Sequence, residues 1–251
     1  MLNLPLSGVE TTLFLLYLLV WAGLLCGGFF FGKPGEDETR RMPLPTRLLS
    51  SFTLVTGAWT WFAISQGTSV DVFALWVAIG MTLGFIGDVF MAEVLPVENH
   101  VIFGMLAFGI GHIAYIIGMM MITLPAQELL YPAIIMVLMW WSIAVVLWYF
   151  VVYRGSKRET VIYLALPYAI LLSTTAAVAM NLTFLDITFF PVMIGAILFL
   201  ISDLVLAAQL FNGLHFKYVG DVVWFLYGPG QMLIVFGVIL YTMIDSLHLF
   251  A

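Results

Sequence analysis

Charge is the component that this sequence has least of. Only 9% of its 251 residues are charged, whereas 63% are hydrophobic, and the mean hydropathy is +1.13. An ordinary soluble domain is about 25% charged, so this chain has too few polar side chains to cover a surface in water. The composition excludes a water-soluble monomer and indicates a protein whose outer surface lies in the lipid bilayer.

Cysteine and basic residues are also scarce. Cys26 is the only cysteine, which excludes an internal disulfide and a CxxC metal motif. Eight Lys and Arg residues against 14 Asp and Glu residues give a net charge of −6, so we expect no nucleic-acid partner. The sequence contains no HExxH and no GxSxG motif, and we expect neither a metal site nor a cofactor.

Long runs without Asp, Glu, Lys or Arg predict membrane-spanning helices. Six such runs have 22 to 29 residues, and about 20 residues are enough to cross a bilayer as a helix. Two further apolar stretches are interrupted only by Asp88 and Asp203. The sequence therefore predicts an all-α integral membrane protein with eight transmembrane helices in a single domain. We place the spans near residues 10–32, 47–67, 71–92, 100–123, 129–153, 160–181, 187–211 and 221–244.

The basic residues all fall on one side of this arrangement. The connections that follow the first, fifth and seventh helices carry all eight, which are Lys33, Arg40, Arg41, Arg47, Arg154, Lys157, Arg158 and Lys217. Cytoplasmic loops carry an excess of Lys and Arg. We therefore predict that these loops are cytoplasmic and that both termini lie outside, in the cell membrane if the source is a prokaryote.

Two segments 115 residues apart resemble each other. Residues 80–92 (GMTLGFIGDVFMA) and 195–207 (GAILFLISDLVLA) share Gly, Ile, Asp and Ala among other positions, so that Asp88 aligns with Asp203. Asp71 and Asp186 stand at the same offset. The pattern favours two parallel four-helix repeats, with chance similarity between two apolar helices as the alternative. In a repeat, the two carboxylates would lie at similar depth and face each other.

Asp88 and Asp203 are the candidate catalytic residues. A carboxylate inside a span is costly, and it usually has a function or a partner. The small residue before each aspartate, Gly87 or Ser202, allows another helix to approach closely. The alternative is that each aspartate lies near the interface and only anchors its helix.

Four other polar residues interrupt apolar helices and are candidates for substrate binding. His112 lies in the middle of the fourth span, and Tyr115 follows it on the same helical face. Tyr227 and Gln231 share a face of the eighth span, on either side of Pro229. For His112 and Tyr115, the alternatives are a structural hydrogen bond and ordinary aromatic packing.

Four segments together resemble the YhhN-like lysoplasmalogenase family over nearly the whole chain. They are LGFIGDVFMAE at 83–93, FGMLAFGIGHIAYIIGM at 103–119, GAILFLISDLVLA at 195–207 and LYGPGQMLIVFG at 226–237. The sequence differs at the start of the second helix, where Arg47 and Leu48 stand in place of a frequent Lys-Pro. The positive charge is kept at this position, and we expect Arg47 to take part in substrate binding at the lipid headgroup.

The resemblance implies an eight-helix membrane hydrolase. Such an enzyme would cleave the vinyl-ether bond of a lysoplasmalogen to give a fatty aldehyde and glycerophosphoethanolamine or glycerophosphocholine. The family's catalytic aspartates would correspond to Asp88 and Asp203. The implied partners are a lysophospholipid substrate and the lipid bilayer, and the oligomeric state and headgroup preference are not indicated.

Two other functions fit the same sequence. Parallel repeats with intramembrane acids are also typical of proton-coupled transporters. A non-enzymatic lipid-binding membrane protein, in which the aspartates only hold helices together, is the third hypothesis.

Overall fold

The computed structural model describes residues 6–35, 38–122, 130–154 and 160–248, and within these ranges it contains helices and no strand. The all-α prediction is confirmed. Eight α-helices follow one another along the chain: α1 (Gly8–Phe31), α2 (Leu44–Ile64), α3 (Asp71–Met91), α4 (His100–Met120), α5 (Leu130–Trp148), α6 (Thr160–Leu185), α7 (Phe190–Asn212) and α8 (Val219–His248).

Seven of these helices are long and apolar enough to span a membrane, and α2 is not among them. The absence of charge over residues 48–70 had predicted α2 as a clear span. α2 carries uncharged polar side chains along its length, among them Ser50, Ser51 and Thr56, and these lower its hydropathy. By contrast, α3 and α7 are long and apolar enough to span a membrane although each contains an aspartate within its apolar segment.

The helix ends differ from the predicted spans by a few residues, for local reasons. α1 begins with a capping box in which the Ser7 N–H donates to Glu10 Oε2 at 2.7 Å. α2 begins at Leu44, earlier than predicted, with Pro45 in its first turn. α2 therefore has a proline in its first turn, although this proline stands two residues before Arg47 and does not follow it.

Two helices that flank the candidate site have irregular ends. α5 continues as a π-helix over Tyr149–Tyr153, a form that is often found at functional sites. α7 is preceded by a short 3₁₀ helix, Ile187–Phe189, which the Asp186 carboxylate caps by accepting from the Thr188 N–H at 3.0 Å. Asp71 likewise accepts a backbone N–H, from Val72, at the start of α3.

The closest helix pairs are α3 with α4 and α7 with α8. Each contains two glycines that face each other. A Cβ on Gly80 would lie 2.9 Å from the Gly111 carbonyl oxygen, and one on Gly195 would lie 2.6 Å from the Gly230 carbonyl oxygen. The backbones of each pair touch directly because neither residue has a side chain.

The remaining helices complete the bundle around these two pairs. α2 contacts α1, α3 and α8, whereas α6 contacts α4, α5 and α7. α3 and α7 both end, and α4 and α8 both begin, at the end of the bundle where Asp88 and Asp203 lie. We call this the aspartate end.

The loop before α2 is attached to the start of α8. The Asp221 carboxylate accepts from the Arg41 N–H at 2.9 Å, from Arg41 Nε at 2.9 Å and from the Met42 N–H at 3.2 Å. The Gly220 N–H also donates to the Thr39 carbonyl at 2.8 Å. This part of the basic surface is therefore held against the bundle, whereas Lys157 and Arg158 lie outside the described residues.

Candidate active site

Asp88 lies in the last turn of α3, where three helices meet. Its side chain is buried, with 5% of the residue exposed. One carboxylate oxygen, Oδ2, accepts hydrogen bonds from the Ser51 hydroxyl of α2 and, at 2.9 Å, from the Tyr227 hydroxyl of α8. Ser51 was not a sequence-based candidate, because one serine in a helix rich in Ser and Thr gives no distinguishing signal.

A chain of hydrogen bonds leads to Asp88 from the interior of the bundle. The Tyr115 hydroxyl donates to Gln231 Oε1 at 2.9 Å, and Gln231 Nε2 donates to the Tyr227 hydroxyl at 3.3 Å. Tyr227 in turn donates to Asp88. Every donor points towards the carboxylate, so the chain stabilises Asp88 as an acceptor and fixes its orientation. Four candidates named from the sequence are thus brought together.

Arg47 lies beside this network on α2. The residue is 9% exposed, and its guanidinium carbon is 5.7 Å from the centre of the Trp224 ring. Arg47 is near enough to Asp88 and Asp221 to interact with both electrostatically. In the described part of the chain, Arg47 Nε has no hydrogen-bond partner, so this donor is free for a further acceptor.

Asp203 lies at the corresponding position of α7 but has different surroundings. It is only partly buried, and its Oδ2 accepts from the Tyr168 hydroxyl of α6. The Ser202 hydroxyl lies 3.4 Å from Oδ1, but it also contacts the Phe199 carbonyl at 2.7 Å, which is the better acceptor position. Tyr168 was missed by the sequence analysis, and its position beside Pro167 in an otherwise apolar run was the available signal.

Asp203 and Tyr168 face a large apolar cavity between α4, α5, α6 and α7. We call it the Asp203 cavity. Its empty volume is about 780 Å³ including its open side, and the π-helix contributes Val152 to its wall. Among the described residues, Asp203 is the only carboxylate in the lining, and most of the other lining side chains are aliphatic or aromatic. An apolar pocket with a few polar groups is typical of a site for an apolar ligand.

A cluster of aromatic rings connects the two aspartates. Phe108 lines the Asp203 cavity, and its ring centre lies 5.9 Å from those of Phe199 and Tyr227. Tyr227 is also the donor to Asp88. The two carboxylates therefore belong to one region, although only Asp203 lines the cavity.

His112 lies deeper in the bundle than either aspartate and is 2% exposed. Its Nδ1 is 2.9 Å from the Thr175 hydroxyl, and that hydroxyl donates to the Leu171 carbonyl at 3.1 Å. Because the hydroxyl proton is used in this way, Nδ1–H is the donor to Thr175. Nε2 has no hydrogen-bond partner among the described residues.

The sequence-predicted binding residues do not line the Asp203 cavity. His112, Tyr115, Tyr227, Gln231 and Arg47 are all absent from its wall. Their contact with a substrate stays a prediction, and their observed contacts are with each other, with Thr175 and with Asp88. In the ranges that the structure describes, no three His, Cys, Asp or Glu side chains come together in a way that could hold a metal ion.

Comparison with known proteins gives one match. Neither the curated proteins nor the solved structures contain a match to this chain. The model of the YhhN family matches residues 43–238, a range that includes both aspartates, their hydroxyl partners and the Asp203 cavity. Because the match covers most of the sequence, this chain belongs to the YhhN family.

Proposed function

We propose that this protein is a lysoplasmalogenase-like hydrolase that cleaves the vinyl-ether bond of a lysophospholipid. The observation that carries the proposal is the Asp203 cavity, in which a carboxylate and the Tyr168 hydroxyl face an otherwise apolar volume between membrane helices. Such a cavity suits a hydrocarbon chain, and its carboxylate and hydroxyl suit an acid-catalysed reaction on that chain.

The reaction needs a proton donor and a carboxylate. A proton is added to the vinyl carbon that is not bonded to oxygen. This leaves an oxocarbenium ion at the other vinyl carbon and the ether oxygen. Water adds to that carbon and loses a proton, and the resulting hemiacetal collapses to a fatty aldehyde and the glycerol hydroxyl. Glycosidases divide similar work between two carboxyl groups, one acting as acid and the other as base or stabiliser of the cation.

Asp88 and Asp203 are the proposed pair. They act in one region because the aromatic cluster of Phe108, Phe199 and Tyr227 connects them. Two carboxyl groups that interact titrate as a unit, so acid and base are not assigned to individual residues. Ser51, Tyr227 and Tyr168 position the carboxyl groups through their hydroxyls.

The remaining predicted residues contribute to substrate binding and to support of the site. Arg47 is proposed to attract the phosphate of the headgroup, which is supported by its unpartnered Nε at the aspartate end. Tyr115, Gln231 and Tyr227 are proposed to act through Asp88, and His112 to define the floor of the binding region. No cofactor is needed for this chemistry.

The proposed topology has eight spans in two parallel repeats. α2 is proposed as the eighth span because it packs against α1, α3 and α8. The repeat is supported by the matching glycine contacts in the α3–α4 and α7–α8 pairs and by Asp71 and Asp186 at helix starts. We further propose that the aspartate end faces the cytoplasm and that both termini lie outside.

The test is aldehyde release by the purified protein from a lysoplasmalogen, followed by mass spectrometry. The Asp88→Asn variant is expected to be folded and to release no aldehyde. Asp71→Asn is the matched control, because it makes the same change at the opposite end of the same helix and is expected to retain activity. Normal turnover by Asp88→Asn would refute the proposed mechanism.

A second measurement distinguishes protonation at carbon from other routes. In D₂O, with the aldehyde reduced as it forms, the product is expected to carry one deuterium on the carbon next to the former carbonyl. The alternative functions give other results. Solute flux driven by a pH gradient without bond cleavage would indicate a proton-coupled transporter, and lysolipid binding without product would indicate a lipid-binding protein.

A further inference from the structure

A second apolar cavity lies at the end of the bundle opposite the aspartates, between α4, α5 and α6. We call it the distal cavity. Its empty volume is about 1270 Å³ including its open side. Most of the wall is formed by aliphatic and aromatic side chains, among them Met119, Val137 and Leu138, and its polar members are Thr174 and Asn181. Nothing in the proposed chemistry makes use of this space.

The distal cavity continues the line of the Asp203 cavity. The deepest residues of the Asp203 cavity include Ala144 on α5 and Leu172 on α6. The distal cavity begins within one helical turn of them, at Trp141 and Thr174. At this junction Trp141 Nε1 donates to the Thr174 hydroxyl at 2.8 Å. The two cavities therefore occupy successive parts of the same side of the bundle.

A lipid chain that begins at Asp203 is long enough to reach from the Asp203 cavity into the distal cavity. From Tyr168 to Leu172, the Asp203 cavity extends along α6 by about 6 Å, at about 1.5 Å per residue. A hydrocarbon chain reaches through one leaflet, which is about 15 Å or half of the hydrocarbon thickness. The same distance along α6 from Tyr168 ends near Val178, in the wall of the distal cavity. The part of the Asp203 cavity that lies inward of Tyr168 is therefore too short for a whole chain.

We propose that the distal cavity binds the methyl-terminal half of the substrate's hydrocarbon chain while the vinyl ether lies at Asp203. The inference rests on the proposed function for the position of the reacting bond. It makes Val137, Ala177 and Val178 determinants of chain length, because each methylene that leaves water or lipid for a fitted apolar wall adds to affinity. A short-chain lysolipid ends before the distal cavity and gains nothing from it.

Photo-crosslinking tests the position of the chain without requiring turnover. The probe is a lysophospholipid with a saturated ether-linked chain, which contains no vinyl ether and carries a diazirine at its methyl end. We expect crosslinks to residues 137–138 and 177–178, and we expect unlabelled short-chain lysolipid to displace them by competing at the Asp203 cavity. Crosslinks that resist this competitor would show bilayer lipid entering from the side. Either that result or crosslinks confined to the Asp203 cavity would overturn the inference.

Substitutions in the wall of the distal cavity test whether it sets the preference for chain length. Val137→Trp fills the distal cavity, whereas Ile135→Trp makes the same change at a position of α5 that is 66% exposed and outside both cavities. The ratio of kcat/KM for a long-chain over a short-chain lysoplasmalogen is expected to fall about tenfold in Val137→Trp, which corresponds to losing contacts of about two methylenes. The ratio is expected to stay at the wild-type value in Ile135→Trp.

The outcomes separate this inference from the proposed function. Equal ratios in both variants and the wild type would refute the role of the distal cavity while leaving the hydrolase intact. Distal crosslinks in a protein that releases no aldehyde from any lysolipid would refute the hydrolase while retaining the chain-binding site.

Discussion

Asp88 and Asp203 stand 115 residues apart in matching sequence segments, yet their surroundings differ. Asp88 is buried among three helices and accepts from two hydroxyls, one of which ends a chain of hydrogen bonds. Asp203 is partly exposed to an apolar cavity and accepts from the Tyr168 hydroxyl. One carboxyl group is thus held firmly inside the bundle, and the other is presented to a space that can hold a ligand.

The difference arises from the helices that pack against the two aspartates. α8 brings Tyr227 to Asp88, whereas α4 brings Phe108, which has no hydroxyl, to the Asp203 cavity. α2 contributes the small side chain of Ser51 and α6 the large side chain of Tyr168. Two similar segments therefore place their carboxylates differently, with Asp203 in the wall of a cavity and Asp88 outside that wall, beside Tyr227 of the aromatic cluster.

The largest expected effect is the loss of turnover when either carboxyl group is replaced. Asp203→Asn and Asp88→Asn are each expected to lower the rate of aldehyde release on the order of 10³-fold, because acid–base groups typically contribute 10² to 10⁴. Asp203→Asn is expected to retain crosslinking to the lysolipid probe, since the apolar wall is unchanged. Turnover at the wild-type rate in either variant would remove that residue from the mechanism.

The next largest effect is a loss of stability when a glycine at one of the two close helix contacts is replaced by alanine. Gly195→Ala would place a Cβ 2.6 Å from the Gly230 carbonyl oxygen, and Gly80→Ala would place one 2.4 Å from the Tyr115 ring. Overpacking typically costs about 1–3 kcal/mol. We expect the larger cost at Gly195 because its Cβ would meet two backbone atoms, the Gly230 oxygen at 2.6 Å and the Ile234 nitrogen at 2.9 Å, whereas a Cβ on Gly80 would meet one, at 2.9 Å. Thermal unfolding in detergent measures both, with Gly23→Ala as the control because its Cβ would meet nothing within 4 Å. Equal midpoints in all three variants would contradict the close packing.

A smaller effect is expected when Tyr168 or Tyr227 is replaced by phenylalanine. The first substitution is expected to change the rate alone, and the second to change both rate and stability. Tyr168→Phe removes the donor to Asp203, and we expect kcat to fall about tenfold with little change in KM or stability, as for the loss of one hydrogen bond to a charged group. Tyr227→Phe also leaves Gln231 Nε2 without its acceptor, so we expect a loss of about 1 kcal/mol in unfolding free energy as well. Steady-state kinetics and thermal unfolding measure the two effects. Equal changes of kcat and of unfolding free energy in both variants would contradict the difference between the surroundings of Asp88 and Asp203.

The smallest effect is expected at the surface of the aspartate end. Lys217 Nζ lies 3.6 Å from Glu38 Oε1, and both side chains are exposed. The Glu38 carboxylate raises the pKa of Lys217, so any stabilisation is present at neutral pH and is lost as the pH rises through that raised pKa. Because solvent and salt screen the pair, Lys217→Gln is expected to leave thermal unfolding and activity at neutral pH unchanged. A clear fall in either would show that this surface is coupled to the site.

Much of the fold followed from local features of the sequence. Uncharged runs predicted the helices, because a helix in lipid satisfies its own backbone hydrogen bonds and requires only apolar side chains. The lengths of the uncharged runs did not distinguish α2 from the more apolar helices, because its Ser and Thr residues carry no charge but lower its hydropathy. The spacing of Tyr227 and Gln231 predicted a shared face, and the two are hydrogen-bonded.

The partners of the aspartates could not be predicted in the same way. Ser51 and Tyr168 lie 37 and 35 residues from the carboxylates that they contact. Nothing in the local pattern distinguishes Ser51 from the other hydroxyl-bearing residues of α2, and Pro167 marks the position of Tyr168 without indicating which carboxylate it contacts. Their selection depends on which helices pack together and on the rotation of each helix about its axis.

The sequence by itself determined that the chain is helical and apolar, where each helix lies and which two carboxyl groups interrupt the apolar segments, because these properties depend on residues close together in the chain. Only the tertiary structure decided that Asp88 is enclosed by hydroxyls, that Asp203 faces a cavity and that two cavities follow one another along α5 and α6. These features depend on packing between helices that are distant in sequence, and packing is decided by the shapes of facing side chains rather than by their average polarity.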